Sequence, residues 1–241
     1  IPPYKVQEAM QRSKEQIAKS NDDDPDSQNC ISDESRFCYM AVDVARFGMD
    51  ESVFAICRNN EFITKNFKGL DTMKITGQAM DYIKLYKPSK VGVDSDGIGA
   101  GVFDKLKENR ESDDAIDELK NVELIEIHSG ANPLQLGQTE EFLNLRAQMY
   151  WMFKQDIGSI SLEPDDEMLD ALSSIKYYFN SKGKIQIEPK EEIKRRLGRS
   201  PDAEDALVYC NFLKYMNTRY AGTMEDGGEE KYVPITEKIG I

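Results

Sequence analysis

Short runs crowded with β-branched and aromatic residues alternate along this chain with longer stretches in which apolar residues return every three or four positions. The runs at 37–44, 52–57 and 62–67 read as strands, parted by a glycine-containing turn around Gly48 and by the polar break Asn59-Asn60-Glu61. Three strands joined this tightly predict an antiparallel meander. Met73, Ile75, Ala79, Met80, Ile83 and Leu85 then recur at helical spacing up to Pro88, and 91–93 forms a further, buried strand. A second helix is expected over 100–107, with Val102, Phe103 and Leu106 on one face, before a strand at 122–127. Beyond it, 140–153 reads as a long amphipathic helix and 166–175 as a shorter one. The segments 176–180 and 184–187 read as a hairpin around Ser181-Lys182-Gly183, and 202–215 as the last helix. Tyr150, Trp151 and Phe153, at helical spacing, are expected to pack into a core.

The two ends depart from this pattern. Residues 1–35 are mostly polar, and the stretch Asn21 to Asp26 is dense in charge and interrupted by Pro25, which predicts a leader helix followed by a linker. At the other end, 218–241 combines Gly222, Gly227 and Gly228 with a run of acids, the composition of a flexible acidic tail. The organised part is therefore expected at 36–217. Over 241 residues, 44 acidic against 31 basic side chains give a formal charge of −13, with a mean hydropathy of −0.60. No apolar run approaches the ~20 residues needed to cross a bilayer, and the polar start is no signal peptide, so no membrane partner is expected. The absence of an initiator Met fits a processed or excised chain. Cys30, Cys38, Cys57 and Cys210 form no CxxC pair, which excludes a zinc knuckle and a dense disulfide framework and fits a reducing, intracellular setting. His128 is the only histidine, so imidazole-based metal sites and catalysis are not expected. The acidic balance argues against a broad electrostatic grip on nucleic acid, though a local basic stripe can still supply one.

Three acidic stations stand out. Asp43 follows Met40, Ala41 and Val42 in a strand, where a carboxylate is costly to bury without a partner, and Asp50 follows after the turn. Asp94 ends the next apolar strand, the place where ligands gather in open α/β sheets. Asp96 follows it, and Gly97, Gly99 and Gly101 allow a close turn into the helix. The third station is SPDAEDAL, in which Asp202 and Asp205 stand three apart on one helical face. Singly, each acid has a structural reading as a turn former, an N-cap or a partner of the helix dipole. Together they form a set able to converge on one point. Carboxylates without His or Cys suit hard ions, Mg²⁺ or Mn²⁺, and two such ions support phosphodiester hydrolysis without a histidine base. In that scheme Asp43 bridges the ions, Asp94 serves one, and Asp202 or Asp205 the other. Positive charge for a DNA backbone is richest at Lys190, Lys194, Arg195, Arg196 and Arg199, with Lys182 and Lys184 at the hairpin tip. A solvated helix face neutralised by Glu191 and Glu192 is the competing reading of the first group.

The order of elements and the three acidic stations together resemble the ribonuclease H-like superfamily, an α/β fold with a mixed central sheet, antiparallel strands followed by parallel ones, flanked by helices. The strings VDVARFGMDES, VGVDSDGIGAGVFDKL and GRSPDAEDALVY are similar to the nuclease domain of the large terminase subunit of tailed bacteriophages, over about 37–215. The resemblance implies a metal-dependent endonuclease that cuts concatemeric double-stranded viral DNA during packaging, using two Mg²⁺ or Mn²⁺ ions, in the host cell cytoplasm. It places Asp43 and Asp94 at the first two acids and Asp205, with Asp202 beside it, at the third, and sets Asp50 and Asp96 in supporting positions. The partners it implies are DNA, an N-terminal packaging ATPase domain of the same subunit, the portal and the small terminase subunit. No GxxxxGK[ST] loop occurs, so no ATPase activity is expected from this chain, and 1–35 is expected to lead from the missing motor. The competing readings are a resolvase- or integrase-like nuclease of the same superfamily, an actin-like or sugar-kinase-like ATPase, and a non-catalytic assembly module of the packaging motor.

Overall fold

The computed structural model describes residues 1–22, 37–45, 51–136 and 140–216. Its centre is a six-stranded sheet in the order β5-β4-β1-β2-β3-β6. The strands are β1 (Cys38–Asp43), β2 (Glu51–Arg58), β3 (Glu61–Lys68), β4 (Lys90–Asp94), β5 (Glu123–Ile127) and β6 (Ser161–Leu162). β1, β2 and β3 form the expected antiparallel meander. β4 adds parallel to β1 and β5 parallel to β4, while the two-residue β6 adds parallel to the far edge of β3. The turn between β2 and β3 places both Asn59 and Asn60 at positive φ, 52° and 65°, a conformation asparagine tolerates well.

Because strand side chains alternate in direction, the central strands feed two cores. Met40, Val42, Phe54, Ile56, Val91 and Val93 face one side, covered by α2 (Thr72–Tyr86), α3 (Gly99–Glu111) and the single turn α4 (Asp117–Lys120). Asp71 caps α2 by accepting from Lys74 N at 2.8 Å. Tyr39, Ala41, Val53, Ala55 and Cys57 face the other side, against α5 (Leu145–Asp156), α6 (Asp166–Ser174) and α8 (Asp202–Phe212), the last continued by a 3-10 turn at Leu213–Tyr215. α8 lies across this face and is buried along nearly its whole length. Between α6 and α8 come the hairpin strands β7 (Tyr177–Phe179) and β8 (Ile185–Ile187), then α7 (Lys190–Leu197). No helix among the described residues is long and apolar enough to cross a membrane.

Two elements differ from expectation. The helix expected over 140–153 starts only at Leu145, because Asn144 caps it by accepting from Ala147 N at 3.0 Å. Phe142 is drawn instead into a β-bridge with Ile185 of the hairpin. The first helix, α1 (Pro3–Asp22), is not separate from the organised span: Val6, Ala9 and Met10 are buried in the α8-side core. Arg12 of α1 also donates to the carbonyls of Ile157 and Ile160, at 2.6 and 2.8 Å. The packed core therefore begins well before residue 36. The linker after Asp22, the turn containing Asp50 and the tail from 218 lie outside the described residues.

Candidate metal centre

Parallel pairing of β1 with β4 sets Val42 opposite Val93, so the next residue of each strand, Asp43 and Asp94, stand abreast at the same sheet end. The valines point into the α2–α3 core, which turns both acids toward α8. Both are buried, 6% and 7% exposed. The backbone after β4 turns back so tightly that a Cβ on Gly99 would sit 1.7 Å from the Asp94 carbonyl oxygen, and Gly97 adopts φ +107°. Only glycine allows that approach and that angle. The turn brings Asp96 N to donate to Asp94 Oδ1 at 3.0 Å, and the Tyr209 hydroxyl of α8 donates to Asp94 Oδ2 at 3.1 Å.

Asp205 enters from α8, one helical turn before Tyr209, and is fully buried. Its Oδ1 accepts from Arg146 Nη2 at 3.1 Å, Arg146 Nε at 3.3 Å and the Tyr150 hydroxyl at 2.7 Å. Arg146 and Tyr150 lie one turn apart on α5, the guanidinium 4.9 Å from the ring centroid. The Lys190 ammonium, at the start of α7, lies 2.7 Å from Asp205 Oδ2 and 3.6 Å from Asp43 Oδ2. Yet these two buried oxygens have no well-directed hydrogen-bond partner. Ser200 donates to Asp202, which is half-buried at the mouth.

The charges are unequally settled. Burial raises the Asp43 carboxyl well above its ordinary range; Lys190 pulls it back, and Asp205, Asp94 and Asp202 push it up again. Asp94 is also raised, chiefly by burial, against the opposing effect of the Asp96 amide and Lys190. For Asp205 burial is outweighed by Arg146 and Lys190, which hold it below the usual carboxylate range. Although burial disfavours its charge, Lys190 is held protonated by Asp205 and Asp43. Thus Asp43, Asp94, Asp202 and Asp205 are electrostatic neighbours, with Lys190 among them.

The remaining candidates divide. Asp96 turns away to accept from Ser129 Oγ at 2.9 Å and Gly130 N at 3.3 Å and to meet His128 Nδ1 at 3.2 Å, tying the β4 and β5 loops together. Arg196 is engaged by Glu188 and the Ser174 carbonyl, and Arg199 by the buried Glu204 at 2.7 and 3.0 Å. Arg195 is exposed beside Glu192. Lys194 lines a 540 Å³ cleft that also reaches Asp202, Arg199 and Lys68. Lys182 is exposed at the hairpin tip, and Lys184 is half-buried there. Asp50 is outside the described residues. Arg146, Tyr150 and Tyr209 were not among the candidates. The i, i+4 spacings of Arg146 with Tyr150 and of Asp205 with Tyr209 are the only traces they leave in the sequence.

Similarity to solved structures is extensive. The nuclease domain of the large terminase subunit gp2 of bacterial virus Sf6 matches with a TM-score of 0.63 at 19% identity, covering 73% of this chain and 87% of that one. The chain has the fold of a large-terminase nuclease domain. A further structure of the Sf6 domain, with manganese and beta-thujaplicinol, gives 0.62 at 20% identity over 73% and 87% of the two chains. The large terminase nuclease of thermophilic phage G20c with bound magnesium gives 0.52 at 12% identity over 74% and 82%. No protein-family model matches the sequence, and no curated protein matches it. The terminase-nuclease fold accounts for the mixed sheet and the flanking helices; the chemistry rests on the centre itself.

Among the described residues, no group of three or more His, Cys, Asp or Glu side chains is gathered closely enough to hold a metal in the present arrangement. The donor chemistry nevertheless fits a hard divalent cation: all donors are carboxylate oxygens, and Asp43 Oδ2 and Asp205 Oδ2 are buried without a directed partner. The cation now beside them is the chain's own Lys190.

Proposed function

We propose that this chain is a metal-dependent endonuclease that cuts double-stranded concatemeric DNA during viral genome packaging. The observation that carries the reading is the convergence of Asp43, Asp94 and Asp205 at one end of the sheet, with two buried carboxylate oxygens that lie beside Lys190 and, among the described residues, have no directed hydrogen-bond partner. Asp43, Asp94 and Asp205, with Asp202 at the mouth, would hold two Mg²⁺ or Mn²⁺ ions. Such ions, when bound, lower the pKa of an attacking water and stabilise the leaving oxygen of a phosphodiester.

The chain's own residues supply position and charge. Arg146 and Tyr150 fix Asp205 through Oδ1, leaving Oδ2 aimed at the centre. Tyr209 and the Asp96 amide orient Asp94. Lys190 balances Asp43 and Asp205 and, with its side chain 37% exposed, has a path outward to a phosphate. Lys182, Lys184, Lys194 and Arg195 are the basic side chains we assign to the DNA backbone, whereas Arg196 and Arg199 act first as internal partners of Glu188 and Glu204. The packaging ATPase domain, the portal and the small terminase subunit are the proposed assembly partners, in the host cytoplasm.

The test is direct. Purified protein with Mn²⁺ is expected to nick and then degrade supercoiled plasmid, and EDTA to stop it. Failure to cut with either Mn²⁺ or Mg²⁺, or cutting that EDTA leaves untouched, would contradict the proposal.

A further inference from the structure

In a chain of net charge −13, residues 176–187 carry three lysines, Lys176, Lys182 and Lys184, and no acid. This segment is the β7–β8 hairpin. All three β7 residues are aromatic and exposed: Tyr177 by 44%, Tyr178 by 42% and Phe179 by 63%. Three consecutive large rings left in water are unusual for a surface with no binding role.

The rings are held in place. Tyr177 and Phe179 share one face, their centroids 6.2 Å apart and edge to face, and Tyr177 packs edge-on against Trp151 of α5 at 5.2 Å. Lys154 Nζ lies 4.0 Å from the Trp151 centroid and 4.8 Å from that of Tyr177. Tyr178, opposite Gln186 in the ladder, points to the other face. The tip is shaped by Asn180 Oδ1, which accepts from the backbone of both Lys182 and Lys184 at 2.9 and 3.0 Å. The base is fastened by Ile185, which exchanges backbone hydrogen bonds with Glu141 and Leu143, each 2.8 Å. At its far end the hairpin runs into Glu188, whose carbonyl accepts from Arg146, and on to Lys190 at the acidic centre.

We propose that this hairpin is a platform for unpaired nucleobases, with Tyr177 and Phe179, which share one face, stacking on bases of single-stranded or frayed DNA and Lys182 and Lys184 meeting the adjoining phosphates. The proposal rests on the nuclease reading above and adds a substrate feature to it. Exposed aromatic faces next to uncompensated lysines match a polyanion that carries flat rings. Base faces are hidden in an intact duplex, so the rings contribute only where strands have separated, while the lysines contribute to both forms. A protein partner is the competing occupant, and an acid-free, lysine-bearing hairpin gives it no corresponding anchor.

The experiment measures binding of a labelled oligothymidylate and of a blunt duplex of equal length by fluorescence anisotropy in EDTA, where neither is cut. Trp151, the single tryptophan, supplies a second signal from beneath the platform. Phe179→Ala is expected to weaken oligothymidylate binding about tenfold and to leave duplex binding within about twofold, whereas Phe179→Tyr, which keeps the ring, and Tyr178→Ala, on the opposite face, retain the wild-type value. Replacing Lys182 and Lys184 with Ala is expected to weaken both ligands and to flatten their salt dependence. Unchanged oligothymidylate binding in Phe179→Ala, or equal losses on both ligands, would overturn the proposal. Plasmid cutting by the wild-type chain is scored separately. A chain that cuts but shows no ring-dependent preference refutes the platform alone, and one that binds as expected but never cuts refutes the nuclease reading.

Discussion

Two groups of carboxylates flank α7, and their charges are settled in opposite ways. Glu188 and Glu204 each have a guanidinium of their own, from Arg196 and Arg199, and these pairs fasten α7 to the hairpin and to α8. Asp43 and Asp205 share the Lys190 ammonium, and Arg146 pairs with Asp205. The first arrangement is closed and holds the fold together. In the second, burial pushes the Asp43 and Asp94 carboxyls up toward their neutral form, and a further cation would favour their charged form. The buried acids thus differ in how their oxygens are met: Glu188 and Glu204 each have a guanidinium, whereas Asp43 Oδ2 and Asp205 Oδ2 lack a directed hydrogen-bond partner.

The largest expected effect lies at the open group. Asp43→Asn should reduce Mn²⁺-supported plasmid cutting by about a thousandfold, roughly 4 kcal/mol of transition-state stabilisation, with no loss of melting temperature. Because the Asp43 carboxyl is held above the ordinary aspartate range, the wild-type fold weakens as pH rises through that raised value. The Asn variant should lack this decline. A variant that cuts normally, or melts markedly lower, would erase the distinction between the two groups.

At the closed group the loss should appear in stability. Arg199→Ala leaves the Glu204 carboxylate buried and alone, at an expected cost of about 3 kcal/mol in urea denaturation, and replacing both residues with apolar ones should recover much of it. Lys190→Ala, between the two groups, should cost about 2 kcal/mol in EDTA, and added Mn²⁺ should restore the melting temperature further than it does in the wild type. An equal Mn²⁺ response in both chains would mean that Lys190 does not stand in for the ion.

The smallest effect, about 1 kcal/mol, is expected from Arg196→Ala, since the guanidinium that meets the buried Glu188 is itself partly exposed. Burial raises Glu188, but the Arg196 and Lys176 hydrogen bonds outweigh it and hold the carboxyl below its ordinary range. Its contribution is therefore complete above the unfolded value and lost as pH falls through the lowered one. Urea midpoints followed through that window should fall less steeply in the variant.

Much of this was legible in the sequence, for reasons the structure makes plain. Alternating apolar runs marked β1 to β5, since each is buried on one or both faces. Asp43 and Asp94 were conspicuous because an acid ending an apolar strand is costly to bury without a partner. What stayed hidden depends on distant partners. The start of α5 moved to Leu145 because Phe142 pairs with Ile185, 43 positions on. The two-residue β6 has too few residues to show a period. Arg146 and Tyr150 became part of the centre only through Asp205, 59 and 55 positions away. Arg196 of α7 and Arg199 just beyond it looked like part of a DNA-binding stripe because their partners, Glu188 and Glu204, lie outside that helix.

A crystal soaked in Mn²⁺, with anomalous scattering recorded at the manganese edge, tests the convergence of the acids most directly. The expected result is density bound by Asp43 together with Asp94 or the Asp202 and Asp205 pair, with the Lys190 ammonium moved away from Asp43. An empty centre at saturating Mn²⁺, with Lys190 still against Asp205 and Asp43, would contradict the account.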